Sequence, residues 1–242
     1  MKNYKNAHRW LWLALLIVIL GFARSYWSQF PHVSFPHHLH LLFATAWFAL
    51  LVWQPKLATT GRLEQHRRNG MIGLFLAGAV VGTSLLMLPG NIEDAVAGRV
   101  AAGGFVNPTF FYGVTFYDLV AITGFTVAVV MAVIQRKQPE AHALWMVTTA
   151  LWILGPALAR LLILPVAIIR GGLEGITFFF VINLALTLVL ITIAIMAWRL
   201  KRFPLPLVLV AAGNVVAFLC EPIGDWPAWR SLMEAVFIPP PE

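Results

Sequence analysis

Seven stretches of mostly apolar residues, separated by short polar or basic segments, follow one another along this sequence. They lie at roughly residues 10–23, 37–54, 70–88, 113–135, 142–166, 175–198 and 204–220. The hydrocarbon core of a bilayer is about 30 Å thick and needs about 20 apolar residues per helix. The pattern predicts an all-α fold, a polytopic membrane helical bundle of about seven transmembrane helices, in which residues 1–242 form a single integral membrane domain.

Composition excludes the main alternatives to a membrane protein. Hydrophobic residues make up 60% of the 242 residues and charged residues only 11%, whereas a soluble domain carries about 25% charged residues. A chain with so few charges cannot cover a water-exposed surface, which excludes a cytosolic enzyme and a disordered protein. A secreted disulfide scaffold is excluded because Cys220 is the only cysteine.

Lysine and arginine residues are unevenly distributed between the segments that join the apolar stretches. With the N-terminus in the cytoplasm, the inner segments hold twelve of them, the outer segments hold four, and Arg160 lies within a stretch. This excess follows the positive-inside rule, so we expect a cytoplasmic N-terminus and a periplasmic C-terminus in a bacterial inner membrane. The net charge of +7 is then a topology signal and does not indicate nucleic-acid binding. No small-residue cleavage site follows the first stretch, which we expect to be retained.

Two segments on the predicted outer side differ from the short basic connections. The loop 89–112 is the longest connection, and the tail 221–242 carries Trp226, Trp229 and Phe237 before three prolines. Tryptophan at such places usually lies at the level of the lipid head groups. We expect the tail to form a short amphipathic turn on the outer membrane surface.

Four polar residues lie inside the predicted helices near the outer face. Counted from the inner ends of their helices, they lie at depths of about 21 to 27 Å. These residues are His40, Asp118, Arg160 and Asn183. An ionisable residue within a span indicates a functional site or a buried pair. The sequence leaves two interpretations open, a structural ion pair between Asp118 and Arg160, or a ligand pocket formed by all four residues and open to the periplasm.

Histidines cluster at the start of the second apolar stretch. His37 and His40 are three residues apart and share a helix face, which is a workable spacing for a copper or zinc ion. With Asp118 they form a candidate metal site, which Cys220 and Glu221 would approach from the same side. The alternative is that these are interfacial histidines without any ligand.

Two further histidines begin helices at the predicted cytoplasmic face. His66 and His142 open the third and fifth helices, and Arg67 and Arg68 follow His66 directly. Two neutral imidazoles on opposite helices can ligate a haem iron axially, and the arginines would suit the haem propionates. Small residues along the third helix would leave space for such a cofactor, or would serve only close helix packing. The small residues are Gly70, Gly73, Ala77, Gly78 and Gly82.

Two blocks of the chain follow the pattern H-x-H, T-A-W, Q-P-x-L, G-R and H-R-R-x-G and its continuation. The matching residues of the first block are Ser25, Tyr26, His38, His40, Thr45, Ala46, Trp47, Gln54, Pro55, Leu57, Gly61, Arg62, His66, Arg67, Arg68 and Gly70. Those of the second block are Asp118, Arg136, Pro139, Glu140, His142, Met146, Pro156, Ala157 and Arg160. On these residues, which cover helices 2–5, the sequence resembles a family of predicted bacterial multi-pass membrane proteins of unknown function.

The sequence is more distantly similar to the transmembrane cytochrome b family of the ascorbate and ferric reductase type. Those proteins hold two haems with histidines on helices 2 and 4 and on helices 3 and 5 of a four-helix core. Here His66 and His142 occupy helices 3 and 5, whereas helix 4 carries Asp118 opposite His40. The resemblance therefore implies at most one b-type haem, held by His66 and His142.

Four functions remain open from the sequence. The first is a redox protein with one haem b and an outer site for a quinone or a metal ion. The second is a binding or transport protein that holds a small molecule or lipid in the outer pocket. The third is a metal-dependent membrane enzyme, and the fourth is an accessory subunit with purely structural polar pairs, which would bind a membrane-complex partner or form a homo-oligomer.

Overall fold

A computed structural model describes residues 7–100 and 104–238 of the chain. These residues form ten α-helices and one short 3-10 helix at Trp27–His32, and the described part contains no β-strand. The α-helices are α1 (Ala7–Gly21), α2 (Phe35–Thr59), α3 (Leu63–Val96), α4 (Pro108–Ile134), α5 (Pro139–Ile153), α6 (Gly155–Arg170), α7 (Phe178–Leu200), α8 (Leu205–Ala217), α9 (Cys220–Asp225) and α10 (Pro227–Phe237). The predicted all-α class is confirmed.

Helix length separates the apolar helices into two groups. The helices α2, α3, α4 and α7 are each long and apolar enough to cross a membrane, and α5 with α6 form a fifth such unit that is bent by 48°. The other two apolar helices, α1 and α8, are shorter, with 15 and 13 residues. The fold is therefore an α-helical protein with four or five helices that could span a membrane.

Several helix boundaries differ from those predicted. The third helix was predicted at 70–88 and extends over Leu63–Val96, and the fourth begins at Pro108. Much of the predicted outer loop 89–112 is therefore helical. The fourth helix begins early because the Asn107 side chain accepts a hydrogen bond from the backbone N–H of Phe110 (3.0 Å) and proline fits the first helical turn.

The predicted helix 142–166 is in fact two helices. The break lies at Leu154, between α5 and α6, where Gly155 and Pro156 follow. Proline lacks the N–H that would continue the helical hydrogen bonds, and its ring disfavours a helical conformation in the preceding residue. These two residues give the bend its physical cause. Helix α6 ends at Arg170 and is capped by Gly171, whose φ of 73° is the left-handed conformation that glycine adopts easily.

Side-chain contacts bring several helix ends together at two places in the bundle. At the first end, which we call the basic end, Arg202 lies 3.5 Å from the Glu140 carboxylate and the Arg199 guanidinium lies over the Trp10 ring. At the opposite end, which we call the far end, the Tyr26 hydroxyl lies 2.6 Å from Nδ1 of His38. The starts of α1, α5 and α8 and the end of α7 therefore share the basic end.

The C-terminal tail folds into helices α9 and α10 at the far end. The Thr109 hydroxyl donates to the Asp225 carboxylate (2.7 Å). Met233 packs with Ile92 and Tyr112 in a small second core. The tail predicted as a surface turn is thus two helices docked on α3 and α4, and its last residues, 239–242, lie outside the described part.

Candidate functional site

One aromatic ring on α2 organises the centre of the bundle. Trp47 is almost completely buried, its ring lies 5.3 Å from that of Phe125 on α4, and its indole N–H donates to the Thr149 hydroxyl on α5 (3.2 Å). We call these three residues the central layer. They fix the level of α2, α4 and α5 relative to one another.

A second layer lies seven residues along each helix, toward the basic end. On α2, α4 and α5 these positions are Gln54, Ala132 and His142. Seven residues are about two helical turns, so a residue returns nearly to the same face. Nε2 of Gln54 donates to the backbone oxygen of His66 (3.1 Å), and Nδ1 of His142 donates to that of Ala132 (2.8 Å). The contacts show that the register of the three helices is maintained.

The same step toward the far end reaches His40 on α2 and Asp118 on α4. Because the register holds in the other direction, these two residues occupy one level, about 10 Å from the central layer. Two of the four residues of the predicted outer layer therefore share a level of the bundle. No hydrogen bond to the Asp118 side chain is present among the described residues.

The His40 ring is held against α3 by two hydroxyl groups. Nδ1 of His40 lies 3.3 Å from Oγ1 of Thr83 and 3.3 Å from Oγ of Ser84. Both hydroxyls donate their own proton to backbone oxygens of α3, at 2.7 Å and 2.8 Å, so they accept a proton from the ring. Nδ1 therefore carries the hydrogen, and Nε2 keeps its lone pair.

Arg160 on α6 is a cation surrounded by aromatic rings. Its guanidinium carbon lies 4.9 Å from the ring centre of Phe22 and 5.8 Å from that of Phe178. One guanidinium nitrogen donates to the backbone oxygen of Pro156 (3.1 Å). The ion pair that the sequence suggested with Asp118 is not formed, since in the described part of the chain no carboxylate oxygen lies within 4.0 Å of this guanidinium.

A small cavity lies beside Arg160, and we call it the Arg160 cavity. Its volume is about 20 Å³, and its walls include Phe110, Tyr117, Gly155, Arg160, Phe178 and Ile182. Gly155 makes room for the buried Tyr117 side chain, because a Cβ atom there would lie 2.1 Å from the tyrosine hydroxyl. Asn183 follows Ile182 in the cavity wall, and its buried Oδ1 has no hydrogen-bond partner among the described residues.

The predicted outer pocket is therefore assembled in part. Arg160 lines a cavity, Asn183 adjoins its wall, and His40 and Asp118 share the outer level, but no hydrogen bond or ion pair described by the structure joins any two of the four. Sequence reasoning missed Tyr117, Thr83 and Ser84, which line the cavity or hold His40. The spacing of seven residues that connects His40 with Trp47, and Asp118 with Phe125, was the available signal.

The proposed zinc or copper site receives no support from the fold. In the described ranges, no group of three or more histidine, cysteine, aspartate or glutamate side chains could hold a metal ion. His37 is exposed and its Nδ1 lies 2.7 Å from Oγ of Ser34, while His40 contacts α3. Cys220 is fully buried against α4. His37, His40 and Asp118 therefore do not form a three-ligand cluster.

The two inner histidines, in contrast, come together at the basic end. The ring centres of His66 and His142 are 6.2 Å apart and the rings are nearly perpendicular, at 87°. Nδ1 of His66 is buried without a hydrogen-bond partner in the described structure. Arg67 and Arg68 are exposed, and no ion pair involving them is described.

A haem fits this pair in one respect and fails in another. The separation of the rings suits two imidazoles on opposite sides of one iron, but two of the small residues that were expected to leave space lie against α2. A Cβ at Gly73 would lie 3.4 Å from Leu50, and one at Gly70 would lie 3.7 Å from Gln54, whereas nothing lies within 4 Å of a Cβ at the exposed Gly78 or Gly82. The two glycines that follow His66 most closely in the chain therefore leave no slot for a porphyrin beside α2, and we derive no step through haem, which stays a prediction.

Comparisons with protein-family models, with curated proteins and with solved structures give no match. Both resemblances given above therefore stay predictions. The function has to be argued from the Arg160 cavity and from the histidine pair at the basic end.

Proposed function

We propose that the chain is a seven-span bacterial inner-membrane protein that binds the anionic head of an amphipathic molecule in the Arg160 cavity, which opens toward the periplasm. The observation that carries this proposal is the guanidinium of Arg160. It lies beside two aromatic rings, and no carboxylate oxygen among the described residues lies within 4.0 Å of it. Asp118 is near enough for the two charges to interact, but it makes no direct contact with the guanidinium. An arginine at such a place within a membrane costs several kcal/mol unless a partner supplies negative charge.

The shape of the arginine side chain suits it to bind an anionic oxygen group. The guanidinium presents five N–H groups in a plane, which match two oxygens of a carboxylate or phosphate at once. Only one described hydrogen bond, to the Pro156 backbone, uses these donors. The remaining donors and the aromatic rings of Phe22 and Phe178 together favour a ligand with an anionic oxygen group attached to an apolar body.

The cavity volume limits what can enter. About 20 Å³ is close to the space that a single water molecule needs, so a whole lipid or quinone cannot lie inside. One oxygen of a carboxylate or phosphate can reach Arg160 there, while the rest of the group and its hydrocarbon chain remain outside the cavity.

Both ends of the bundle support seven crossings. Trp10 lies at the basic end and Tyr26 at the far end, so α1 connects the two ends although it has only 15 residues. Likewise Arg202 lies at the basic end and Asp225 at the far end, so α8 with α9 connects them. The excess of basic residues at the basic end favours a cytoplasmic position for it.

Ligand binding is tested on the purified full chain in maltoside micelles. We expect dodecyl phosphate at 100 times its dissociation constant to raise the unfolding temperature by about 5 to 10 °C, because such saturation adds about 2.7 kcal/mol of stability. Arg160→Gln should lose this shift and Arg160→Lys should keep part of it. Arg170→Gln is the matched control, since Arg170 is an exposed arginine at the end of the same helix.

Two results would contradict the proposal, namely no shift in the wild type, or the same shift in wild type and Arg160→Gln. Inorganic phosphate, tested alone, distinguishes the source of the anion. A shift with inorganic phosphate equal to that with dodecyl phosphate indicates a small free anion, whereas a shift with dodecyl phosphate alone indicates a lipid head group. The other hypotheses stay predictions. They are a redox protein that uses a quinone, a metal-dependent enzyme, and an accessory subunit that binds a partner subunit.

A further inference from the structure

We propose that Gln54, His66 and His142 form a second binding site, at the basic end, for one divalent transition-metal ion that prefers imidazole ligands, such as Zn²⁺ or Cu²⁺. The site is separate from the Arg160 cavity and does not depend on it. Three polar groups with unused acceptor capacity lie there, and hydrogen bonds fix two of them, Gln54 and His142.

His142 is prepared as a ligand by its backbone contact. The oxygen of Ala132 can only accept a hydrogen bond, so Nδ1 of His142, 2.8 Å away, carries the ring hydrogen. Nε2 then keeps a lone pair. A carbonyl that holds the other ring nitrogen is the usual support of a metal-bound histidine, because it fixes both the tautomer and the orientation of the ring.

Gln54 contributes an amide oxygen. Its side chain is 7% exposed, and Nε2 must face the backbone oxygen of His66 because two oxygens cannot share a hydrogen bond. Oε1 belongs to the same amide group, so it also lies beside the His66 backbone, and it has no hydrogen-bond partner in the described part of the chain. A buried oxygen in this state is costly unless a ligand uses it.

His66 completes the set. Its buried Nδ1 also lacks a partner among the described residues, and its ring centre lies 6.2 Å from that of His142. A metal-bound imidazole nitrogen lies about 2.0 to 2.1 Å from the ion, so two imidazoles on opposite sides of one ion have ring centres roughly 6 Å apart. The observed separation therefore admits one ion between the rings.

The nature of the ligands limits the choice of ion. Two imidazoles and an amide oxygen are neutral, and they suit zinc, copper or nickel better than calcium or magnesium. Nearby charges oppose one another, because Glu64 and Glu140 attract a cation while Arg67 and Arg68 repel it, and all four are exposed to solvent screening. The ligands themselves therefore determine most of the affinity.

The test uses the metal-stripped full chain, with His37→Ala and His40→Ala introduced together to remove the two histidines of the predicted outer metal site. We expect calorimetry to detect one Zn²⁺ per chain. His66→Ala and His142→Ala should each weaken binding about 100-fold, and Gln54→Leu about 10-fold, in line with the losses seen when metal-site residues are removed. Gln54→Glu should bind more tightly, and His32→Ala, an exposed histidine at the far end, should bind as before.

A second measurement needs no variant at the site. Pulsed EPR of the Cu²⁺-loaded protein should show coupling to the nitrogens of two imidazoles. The proposal is overturned if no ion binds, if fewer than two imidazoles couple, or if His66→Ala binds zinc normally. It is also overturned if the purified chain shows a haem absorption band that His66→Ala abolishes, because the pair would then hold a haem iron.

Discussion

At the scale of single residues, the bundle is organised by polar groups that find partners on other helices. The indole N–H of Trp47 has the Thr149 hydroxyl, and the His40 ring has two hydroxyls of α3. Lipid tails offer no partner to such groups, so each contact also fixes the position of one helix against another. The buried side-chain atoms left without a partner among the described residues, in His8, Gln54, His66 and Asn183, are therefore the informative exceptions.

Thr149→Val tests the central contact. Valine keeps the shape of threonine and removes the acceptor for the Trp47 indole, so we expect a loss of about 1 kcal/mol, the usual size of an interhelical hydrogen bond in a membrane protein. The measurement is reversible unfolding of the detergent-solubilised chain in sodium dodecyl sulfate, followed by tryptophan fluorescence. Thr192→Val is the matched control, because Thr192 is exposed and bonds only to its own helix.

A double variant separates this hydrogen bond from changes in packing. Trp47→Phe alone should also destabilise the chain. The double variant Trp47→Phe, Thr149→Val should lose less unfolding free energy than the two single variants lose together, because both substitutions remove the same interaction. Strict additivity, or equal stability of Thr149→Val and Thr192→Val, would show that the contact contributes nothing.

At the scale of helices, small residues determine how closely the tail approaches the bundle. A Cβ atom at Gly113 of α4 would lie 2.4 Å from the backbone oxygen of Cys220, and one at Gly224 would lie 2.5 Å from that of Thr109. Each pair, Thr109 with Gly113 and Cys220 with Gly224, is separated by four residues and so lies on one helix face. The two faces cross at backbone contact, as small-residue pairs do in membrane helices.

Gly113→Ala should loosen this crossing. The added methyl group meets backbone atoms that cannot turn away, so we expect a loss of about 1 to 3 kcal/mol and faster cleavage by trypsin at Arg230 in α10. Gly78→Ala is the control, because no atom lies within 4 Å of a Cβ placed there. Unchanged stability and proteolysis of Gly113→Ala would mean that the tail is not held at this crossing.

Helices could be predicted from the sequence more fully than their contacts. Apolar runs predicted all seven hydrophobic segments, but the run 142–166 was predicted as one helix, although Gly155 followed by Pro156 was an available signal of the bend between α5 and α6. The ends of α3 were missed because Leu63 and the segment 89–96 are helical without being part of an apolar run. The docking of α9 on α4 could not be predicted, since it depends on which glycines face each other in space.

For the candidate sites too, the sequence predicted positions along the helices better than contacts between them. Helix rise alone predicted that His40 and Asp118 lie at one level, and the shared spacing from Trp47 and Phe125 agrees with it. A direct ion pair between Asp118 and Arg160 is not formed among the described residues, although the two charges are near enough to interact, because opposite charges at similar depth need not point at one another. The role of Gln54 was not foreseen, since an amide gives no distinctive sequence signal until its buried oxygen is seen to lack a partner.

At the scale of the whole molecule, the main question is whether the two short helices cross the membrane. The 13 residues of α8 extend only about 20 Å, less than the roughly 30 Å of a hydrocarbon core. The chain nevertheless reaches the far end, because α9 follows after a turn and Asp225 meets Thr109 there. A bilayer can also become thinner locally around a short segment at modest cost.

Cysteine labelling decides whether α8 with α9 crosses, in a Cys220→Ala background that contains no other thiol. Single cysteines at exposed positions, Gln138→Cys and Phe203→Cys at the basic end and Glu174→Cys and Leu232→Cys at the far end, report the side of the three connections from α4 to α8 and of the tail. With a membrane-impermeant maleimide, intact cells should label only the two far-end positions, because the excess of basic residues favours a cytoplasmic position for the other end. If Phe203→Cys and Leu232→Cys are labelled from the same side, α8 and α9 do not cross, and the number of spans is at most six.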